Sequence, residues 1–234
     1  MTTKAVRFSS LAALAVLSWI PSQAAELGFY VGGAYGPVSK DIDKSPFDDL
    51  LVRLNAGLFG YIPTSTTSTF DNEDYGYSFV GGYRLNSWLA VEGGYMGLGK
   101  QPYRATMQGN FLPAVEGDPL EPSPLTVTTN AKTGGFSLSA LGILPMSYRW
   151  ELYGRLGVLF ASNELTLYAT DGVGAFKQTS NGSSTDFLAG AGATFTFAEI
   201  YGLRAEYQRV FDAGDDTVGE ADTDLVTLGV TVKF

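Results

Sequence analysis

The most regular pattern in the chain is an alternation of apolar and polar residues in its last segment, 224–234. Counting back from Phe234, the apolar residues are Val232, Val230, Leu228 and Val226, and between them lie Lys233, Thr231, Gly229 and Thr227. A period of two places alternate side chains on opposite faces of a β-strand. A strand about ten residues long, tilted by about 45°, crosses the bilayer in a transmembrane barrel. The same pattern also suits a strand of a soluble sandwich, so the rest of the chain decides between the two.

Earlier segments of the chain carry the same alternation. They are 27–36, 75–84, 89–98, 134–144, 151–163, 186–197 and 201–208. The alternation is least regular in 134–144. After 151–163 the apolar positions change parity, at Leu165 and Leu167, which predicts either a bulge near Ala161 or a strand that continues above the membrane. With the last segment, the pattern predicts eight strands, each with one apolar face and one small or polar face.

The connections between these segments alternate in length. Three are short, 85–88, 145–150 and 198–200, and the long ones lie near 37–74, 99–133, 165–185 and 211–223. A soluble sandwich has no reason to place its long loops at one edge, whereas an outer-membrane barrel has short periplasmic turns and long extracellular loops. The predicted fold class is therefore all-β, an eight-stranded antiparallel up-and-down transmembrane β-barrel over residues 25–234. Both termini are expected at the periplasmic side, and closure leaves no strand edge open in lipid.

The amino-terminal segment, 1–24, is predicted to be a cleaved signal peptide. Lys4 and Arg7 precede the apolar stretch 11–20, and small residues suit cleavage after Ala24. A stretch of about ten apolar residues is too short for a membrane anchor, which needs about 20. Removing the two cations changes the net charge from −9 to −11 (−9 − 2), which argues against nucleic acid as a partner.

The composition limits the chemistry that the chain can perform. It contains no Cys and no His, which excludes disulfides and thiolate chemistry and removes the most common general base and metal ligand. Charged residues make up 17%, below the roughly 25% of soluble domains. No nucleophile site is marked in the sequence. We therefore predict no cofactor and no enzymatic activity.

Several stretches resemble the transmembrane domain of the OmpA family. They are Phe29–Gly36, Gly82–Tyr95, Leu138–Gly142 with Leu152–Gly157, Arg204–Gln208 and the terminal Phe234. The resemblance covers the mature chain apart from its long loops. It implies an outer-membrane barrel of a Gram-negative bacterium, in contact with outer-membrane lipids and lipopolysaccharide. It also implies that barrel-assembly machinery recognises Phe234. Family members often add a periplasmic domain that binds peptidoglycan, and that function is not expected for a chain that ends with its eighth strand.

The face expected to line the lumen carries several charges. They are Arg84, Glu92, Arg155, Arg204, Glu206 and Lys233. Four of these, Glu92, Arg155, Arg204 and Glu206, lie at similar distances from a short turn, very roughly 10–15 Å above the periplasmic rim. Two acids and two bases at one height predict an ion-pair network. Such a network is either structural or a gate, and the narrow interior of eight strands favours the structural role. A catalytic carboxylate pair is disfavoured because arginine at this density keeps both carboxylates ionised.

Two of the long loops carry further patterns. Segment 45–58 has the spacing of an amphipathic helix, which is expected to cover the barrel mouth or lie on lipid, or alternatively to bind a partner. The last loop is acidic, with Asp212, Asp215, Asp216, Glu220, Asp222 and Asp224. Its spacing does not match an EF-hand, so it is either a solvated loop or associates loosely with Ca²⁺ or Mg²⁺ beside lipid phosphates.

These patterns predict a function and one alternative. The first is a monomeric outer-membrane barrel with a structural or surface-interaction role, a plugged lumen and extracellular loops that contact surface ligands. The alternative is a narrow pore for small solutes, as in porin-like transport.

Overall fold

The computed structural model of the chain describes residues 27–41, 61–70, 73–111, 122–171, 174–215 and 220–234. The predicted signal peptide, 1–24, and the predicted amphipathic helix, 45–58, lie outside these residues, so both stay predictions. Within the described ranges, no helix has the length and apolar character needed to cross a membrane.

The described residues form strands that close into a ring. The strands are β1 Gly28–Lys40, β2 Tyr61–Phe70, β3 Glu73–Arg84, β4 Leu89–Phe111, β5 Pro122–Pro145, β6 Trp150–Thr170, β7 Ala175–Phe197, β8 Tyr201–Ala213 and β9 Ala221–Lys233. Eight of them pair in the order β1-β3-β4-β5-β6-β7-β8-β9, and β9 pairs with β1 to complete the ring. Every pairing is antiparallel. The prediction of an eight-stranded antiparallel barrel is confirmed, and closure gives each strand of the ring two neighbours.

The two faces of the barrel wall differ in polarity. Large apolar side chains point outward, where Phe29 and Phe136 are each 68% exposed and Leu228 is 65% exposed. Polar side chains such as Ser137 and Thr227 point inward and are buried. A soluble sandwich buries its apolar face. The arrangement therefore excludes the sandwich and gives the outer wall the apolar surface that lipid requires.

Short turns join the strands at one end of the barrel, here called the turn end, and the opposite end is called the loop end. The short turns span 85–88, 146–149 and 198–200, in agreement with the sequence pattern. Two are closed by backbone hydrogen bonds of 2.9 Å, from Leu85 N to Leu89 O and from Met146 N to Trp150 O. The amide of Phe234 donates to the carbonyl of Phe29 at 2.9 Å, so both ends of the ring also lie at the turn end.

β2 is a ninth strand that the sequence pattern does not predict. It lies within the predicted loop 37–74 and pairs with the loop-end half of β4, from Tyr61 opposite Phe111 to Phe70 opposite Tyr103. β3 pairs with the turn-end half of the same β4 edge. Residues 64–67 of β2 are exposed on both faces. A strand with no buried face has no need for apolar alternation, which is why the pattern is absent.

The predicted loops 99–133 and 165–185 are mostly strand, so this part of the prediction is wrong. β4 and β5 continue as a paired hairpin up to Asn110 opposite Pro122, and β6 and β7 continue up to Thr170 opposite Ala175. In β4 the register shifts between Gly97 and Lys100, and Gly99 there has a φ of +74°, which suits glycine. Before the shift the even-numbered residues of β4 point inward, and after it the odd-numbered residues do. The alternation changes phase at this point, so the sequence pattern does not predict that the strand continues.

β6 contains no such shift. Of the two predictions for this strand, the bulge near Ala161 is therefore wrong and the continued strand is confirmed. Leu165 and Leu167 keep the inward parity of Arg155. Leu167 packs against a buried cluster above the barrel formed by Tyr103, Ala105, Met107, Leu125, Val127 and Ala169. The change in apolar parity thus marks a height on β6. Below it the apolar side chains point outward, and above it they point inward.

Candidate functional site

The four charged residues predicted to share one height meet in the barrel as a closed ring of alternating charge, here called the ion ring. Arg155 Nη2 contacts Oε2 of Glu92, and Arg155 Nε lies 2.5 Å from Oε1 of Glu206. Arg204 Nη1 lies 2.6 Å from Glu92 Oε1, and its Nε lies 3.2 Å from Glu206 Oε2. Each guanidinium therefore pairs with both carboxylates. All four side chains are at most 7% exposed.

The sheet register explains why these residues meet. β4, β6 and β8 each contribute inward positions at one height, and Arg204 and Glu206 share the inward face of β8. Glycines opposite them leave the space that long side chains need. Gly192, which pairs with Glu206, is one example, because a Cβ there would lie 2.2 Å from the hydroxyl of Tyr153. Small residues around the ring are thus a condition for its formation.

Neutral side chains complete the hydrogen bonding of the ion ring. The hydroxyl of Tyr30 donates to Glu92 Oε1 at 2.7 Å, and Arg204 Nε donates to the hydroxyl of Tyr153 at 2.5 Å. The guanidinium of Arg204 also lies 4.3 Å from the ring centroid of Tyr153, in cation–π geometry. Arg155 Nη1 donates to Ser139 Oγ at 3.3 Å. The inward parity of these three residues is visible in the sequence, but nothing in their spacing marks them as partners of the charges.

The other two inward charges do not join the ion ring. Arg84 Nη1 lies 2.7 Å from Glu151 Oε1, and Arg84 also donates to the carbonyls of Asn86 and Ser87 in the adjacent turn. Within the described ranges, Lys233 forms no side-chain ion pair. Glu151 is a member of the turn-end pair that the sequence analysis did not identify.

An apolar layer lies on the loop-end side of the ion ring. It consists of Val38, Met96, Leu98, Leu159, Ala161, Leu188, Val210, Ala213 and Leu225, all at most 4% exposed. Met96, Leu159 and Val210 each follow a ring residue by four positions on the same strand. At about 3.3 Å per residue and a tilt near 40°, this spacing puts the layer roughly 10 Å from the ring. The sequence pattern predicts a small and polar lumen and gives no sign of this layer, because its members come one or two from each of six strands.

A small cavity lies between the ion ring and the turn end. Tyr30, Glu92, Tyr153 and Arg204 line its inner end, and Arg84 lines its outer part. This cavity reaches the ring from the turn end, although the ring side chains themselves stay at most 7% exposed.

Residues of the predicted acidic loop are partly paired. Arg209 Nη2 lies 2.6 Å from Asp224 Oδ2, and its Nη1 lies 3.7 Å from Asp222 Oδ2. Asp216 lies outside the described residues. Across the part of the chain that the structure describes, no group of three or more acidic side chains has an arrangement able to hold a metal ion.

The family model of the OmpA-like transmembrane domain matches residues 24–234. The chain belongs to this family. Outer membrane protein A of Yersinia pseudotuberculosis is 26% identical over 160 residues, which cover 65% of this chain and 38% of that protein. Outer membrane protein A of Shigella flexneri is 30% identical over 177 residues, 75% of this chain and 44% of that protein.

As a member of the OmpA-like transmembrane domain family, the chain is an outer-membrane protein that crosses the membrane as a β-barrel. It spans less than half the length of these two curated relatives. Among solved structures, Ail of Yersinia pestis, determined with the heparin analogue sucrose octasulfate, is 16% identical with a TM-score of 0.44. That likeness covers 89% of this chain and 97% of Ail.

Proposed function

We propose that the chain is an outer-membrane barrel with a structural or surface-interaction role and a plugged lumen. The observation that carries the proposal is that the ion ring and the apolar layer fill the lumen at two successive heights. The charges of the ring neutralise one another, and an apolar constriction resists wetting. A solute would have to separate the ion pairs and then hydrate the apolar layer.

The proposed partners follow from the two surfaces of the barrel. The apolar outer wall contacts outer-membrane lipids and lipopolysaccharide, and the strands that rise beyond the barrel at the loop end present a surface to extracellular ligands. Both termini lie on the periplasmic side, since short turns face the periplasm in such barrels. The ring of eight strands is complete within one chain, which supports a monomer. The proposal includes no enzymatic activity and no cofactor, because both ring carboxylates are held by arginines.

A narrow pore for small solutes is the second candidate function. The cavity that reaches Glu92 and Arg204 from the turn end favours it, because this cavity shortens the path that a solute would have to cross through the ring and the apolar layer. Single-channel recording in planar bilayers distinguishes the two functions. For a plugged barrel we expect no stepwise current from the wild-type protein at neutral pH. Regular current steps of one size would establish the pore and overturn the plug.

Assembly in the membrane gives a prediction for Phe234. We propose, from the family resemblance, that barrel-assembly machinery recognises this residue, which is 79% exposed. Phe234→Ala should therefore lower the amount of folded protein in the outer membrane several-fold. Phe197→Ala is the matched control, because Phe197 is also exposed at the turn end. The measurement is the folded band in fractionated membranes, and equal amounts of both variants would contradict the proposal.

A further inference from the structure

A groove runs around the outer wall where the barrel gives way to the extended strands, and we call it the rim groove. Two adjoining depressions form it and share Tyr95, Gly134 and Ser162. Its floor is a row of small residues in register across β4, β5, β6 and β7, namely Gly97, Gly134, Ser162 and Ser183. None of these residues carries a large side chain, so the wall is indented along the row, and the ring of Tyr77 packs over Gly97 at the β4 end. Four strands at about 4.8 Å spacing make the groove roughly 14 Å long.

Aromatic side chains form the wall of the rim groove on the side of the turn end. Tyr95, Phe136 and Phe160 are direct neighbours across β4, β5 and β6. The rings of Tyr95 and Phe136 meet edge to face at 5.4 Å, and all three side chains are exposed. Aromatic residues of membrane barrels collect at the level of the lipid head groups. The groove is therefore continuous with the lipid-facing surface and lies at its boundary with water.

Charged side chains form the opposite wall. Lys100 and Lys132 are direct neighbours across β4 and β5 and point outward. Like charges in this position repel each other. Lys132 Nζ lies 3.5 Å from Oε1 of Glu164, which is a long ion pair. Oδ2 of Asp74 accepts a hydrogen bond from the backbone amide of Lys100. Within the described residues, the ammonium group of Lys100 has no carboxylate partner. An anion between the two lysines would remove their repulsion.

We propose that the rim groove binds the phosphorylated sugar head group of a glycolipid. Phosphate would lie between Lys100 and Lys132, and the apolar faces of the sugars would pack on the aromatic wall. The acyl chains would then continue down the lipid-facing wall beside Leu138 and Leu156, which are both exposed. A groove of four strands has the length of a disaccharide and exceeds a single phospholipid head group. The inference rests on the proposed contact with outer-membrane lipids and assigns that contact to one place.

The test compares three lipids bound to the purified, folded barrel in detergent micelles. They are bis-phosphorylated lipid A, the same lipid A after phosphatase treatment, and phosphatidylglycerol, each quantified by native mass spectrometry. We expect the wild-type barrel to retain bis-phosphorylated lipid A about tenfold more tightly than the other two. The double variant Lys100→Ala with Lys132→Ala should lose this preference and leave the weak binding of the other lipids unchanged. Lys177→Ala is the control, because Lys177 is exposed on β7 outside the groove.

A second pair of variants tests the floor of the groove without changing charge. Ser162→Trp should fill the groove and weaken the binding of bis-phosphorylated lipid A about tenfold. Thr166→Trp, on the same strand and the same face but beyond the groove, should not. Far-UV circular dichroism confirms that each variant is folded.

Three results would contradict the proposal that the rim groove binds a glycolipid head group. These are equal retention of all three lipids by the wild type, a loss in Lys177→Ala as large as in the double variant, and full binding by both Ser162→Trp and the double variant. If these variants still insert into lipid vesicles, the groove is wrong and the proposed barrel function stands. If the wild type itself fails to insert, the proposed function is wrong as well.

Discussion

Glu206→Ala is expected to lower the free energy of unfolding by about 3–5 kcal/mol, the cost of breaking a buried ion pair from one side. Glu206 is one of two carboxylates that neutralise Arg155 and Arg204. Without it, two guanidinium groups share Glu92, and the ring carries one uncompensated positive charge in a place that water hardly reaches. The measurement is urea unfolding of the barrel in lipid vesicles. Asp41→Ala is the control, because Asp41 is exposed at the loop end.

The exchange variant sharpens this test. Arg204→Glu combined with Glu206→Arg keeps the net charge of the ring but places an acid beside Glu92 and a base beside Arg155, so we expect it to be no more stable than Glu206→Ala. Bilayer conductance of the same proteins distinguishes a plug from a gate. If Glu206→Ala keeps the wild-type stability and conducts, the ring is a gate and the plug is wrong.

Leu159→Ala is expected to cost about 2–5 kcal/mol of stability, because it leaves a cavity in the apolar layer. The side chain of Leu159 is fully buried, with 0% exposure. Leu156→Ala is the matched control, since Leu156 lies on the same strand and faces outward with 59% exposure. We expect a clearly smaller loss for Leu156→Ala, because lipid fills the space that its side chain leaves. Urea unfolding in vesicles measures both variants, and equal losses would contradict a tightly packed layer.

The same layer should also control conductance. Leu159→Ser and Leu188→Ser together place hydroxyl groups where the layer now excludes water. We expect stepwise current only when these two changes are combined with Glu206→Ala, because each level of the plug is a separate barrier. Current from Glu206→Ala alone would show that the apolar layer does not seal the lumen.

Sequence reasoning succeeds for this chain wherever one face of a strand meets lipid. In β9, alternate residues such as Leu228 and Val230 are apolar because lipid requires it on that side alone, so strand type and facing direction follow from the pattern. The height of Glu92, Arg155, Arg204 and Glu206 above the turns also follows, because strand rise and tilt are nearly constant. Their contacts do not follow, since they depend on the side-chain conformations and on the glycines around them.

Each part that the sequence pattern does not predict has a physical cause of its own. Residues 64–67 of β2 are exposed on both faces, so neither face requires apolar residues and the sequence shows no alternation there. In β4, the register shift next to Gly99 changes the phase of the pattern, and Tyr103, Ala105 and Met107 keep a regular alternation in the new phase. That second phase is visible in the sequence once a bulge is allowed at the glycine. The apolar layer leaves no such signal, because it is assembled from only one or two positions on each of six strands.

The ion ring has a consequence for the order in which the barrel folds. Glu92 and Arg204 are separated by 112 positions in the chain, and Glu92 and Arg155 by 63. Contacts between residues so distant in sequence form only after a large loss of chain entropy. The ring cannot gain its electrostatic energy until β4, β6 and β8 surround a common axis. Its stabilisation therefore comes late, and it favours the closed cylinder over any partly inserted sheet, in which the same four charges would still face water.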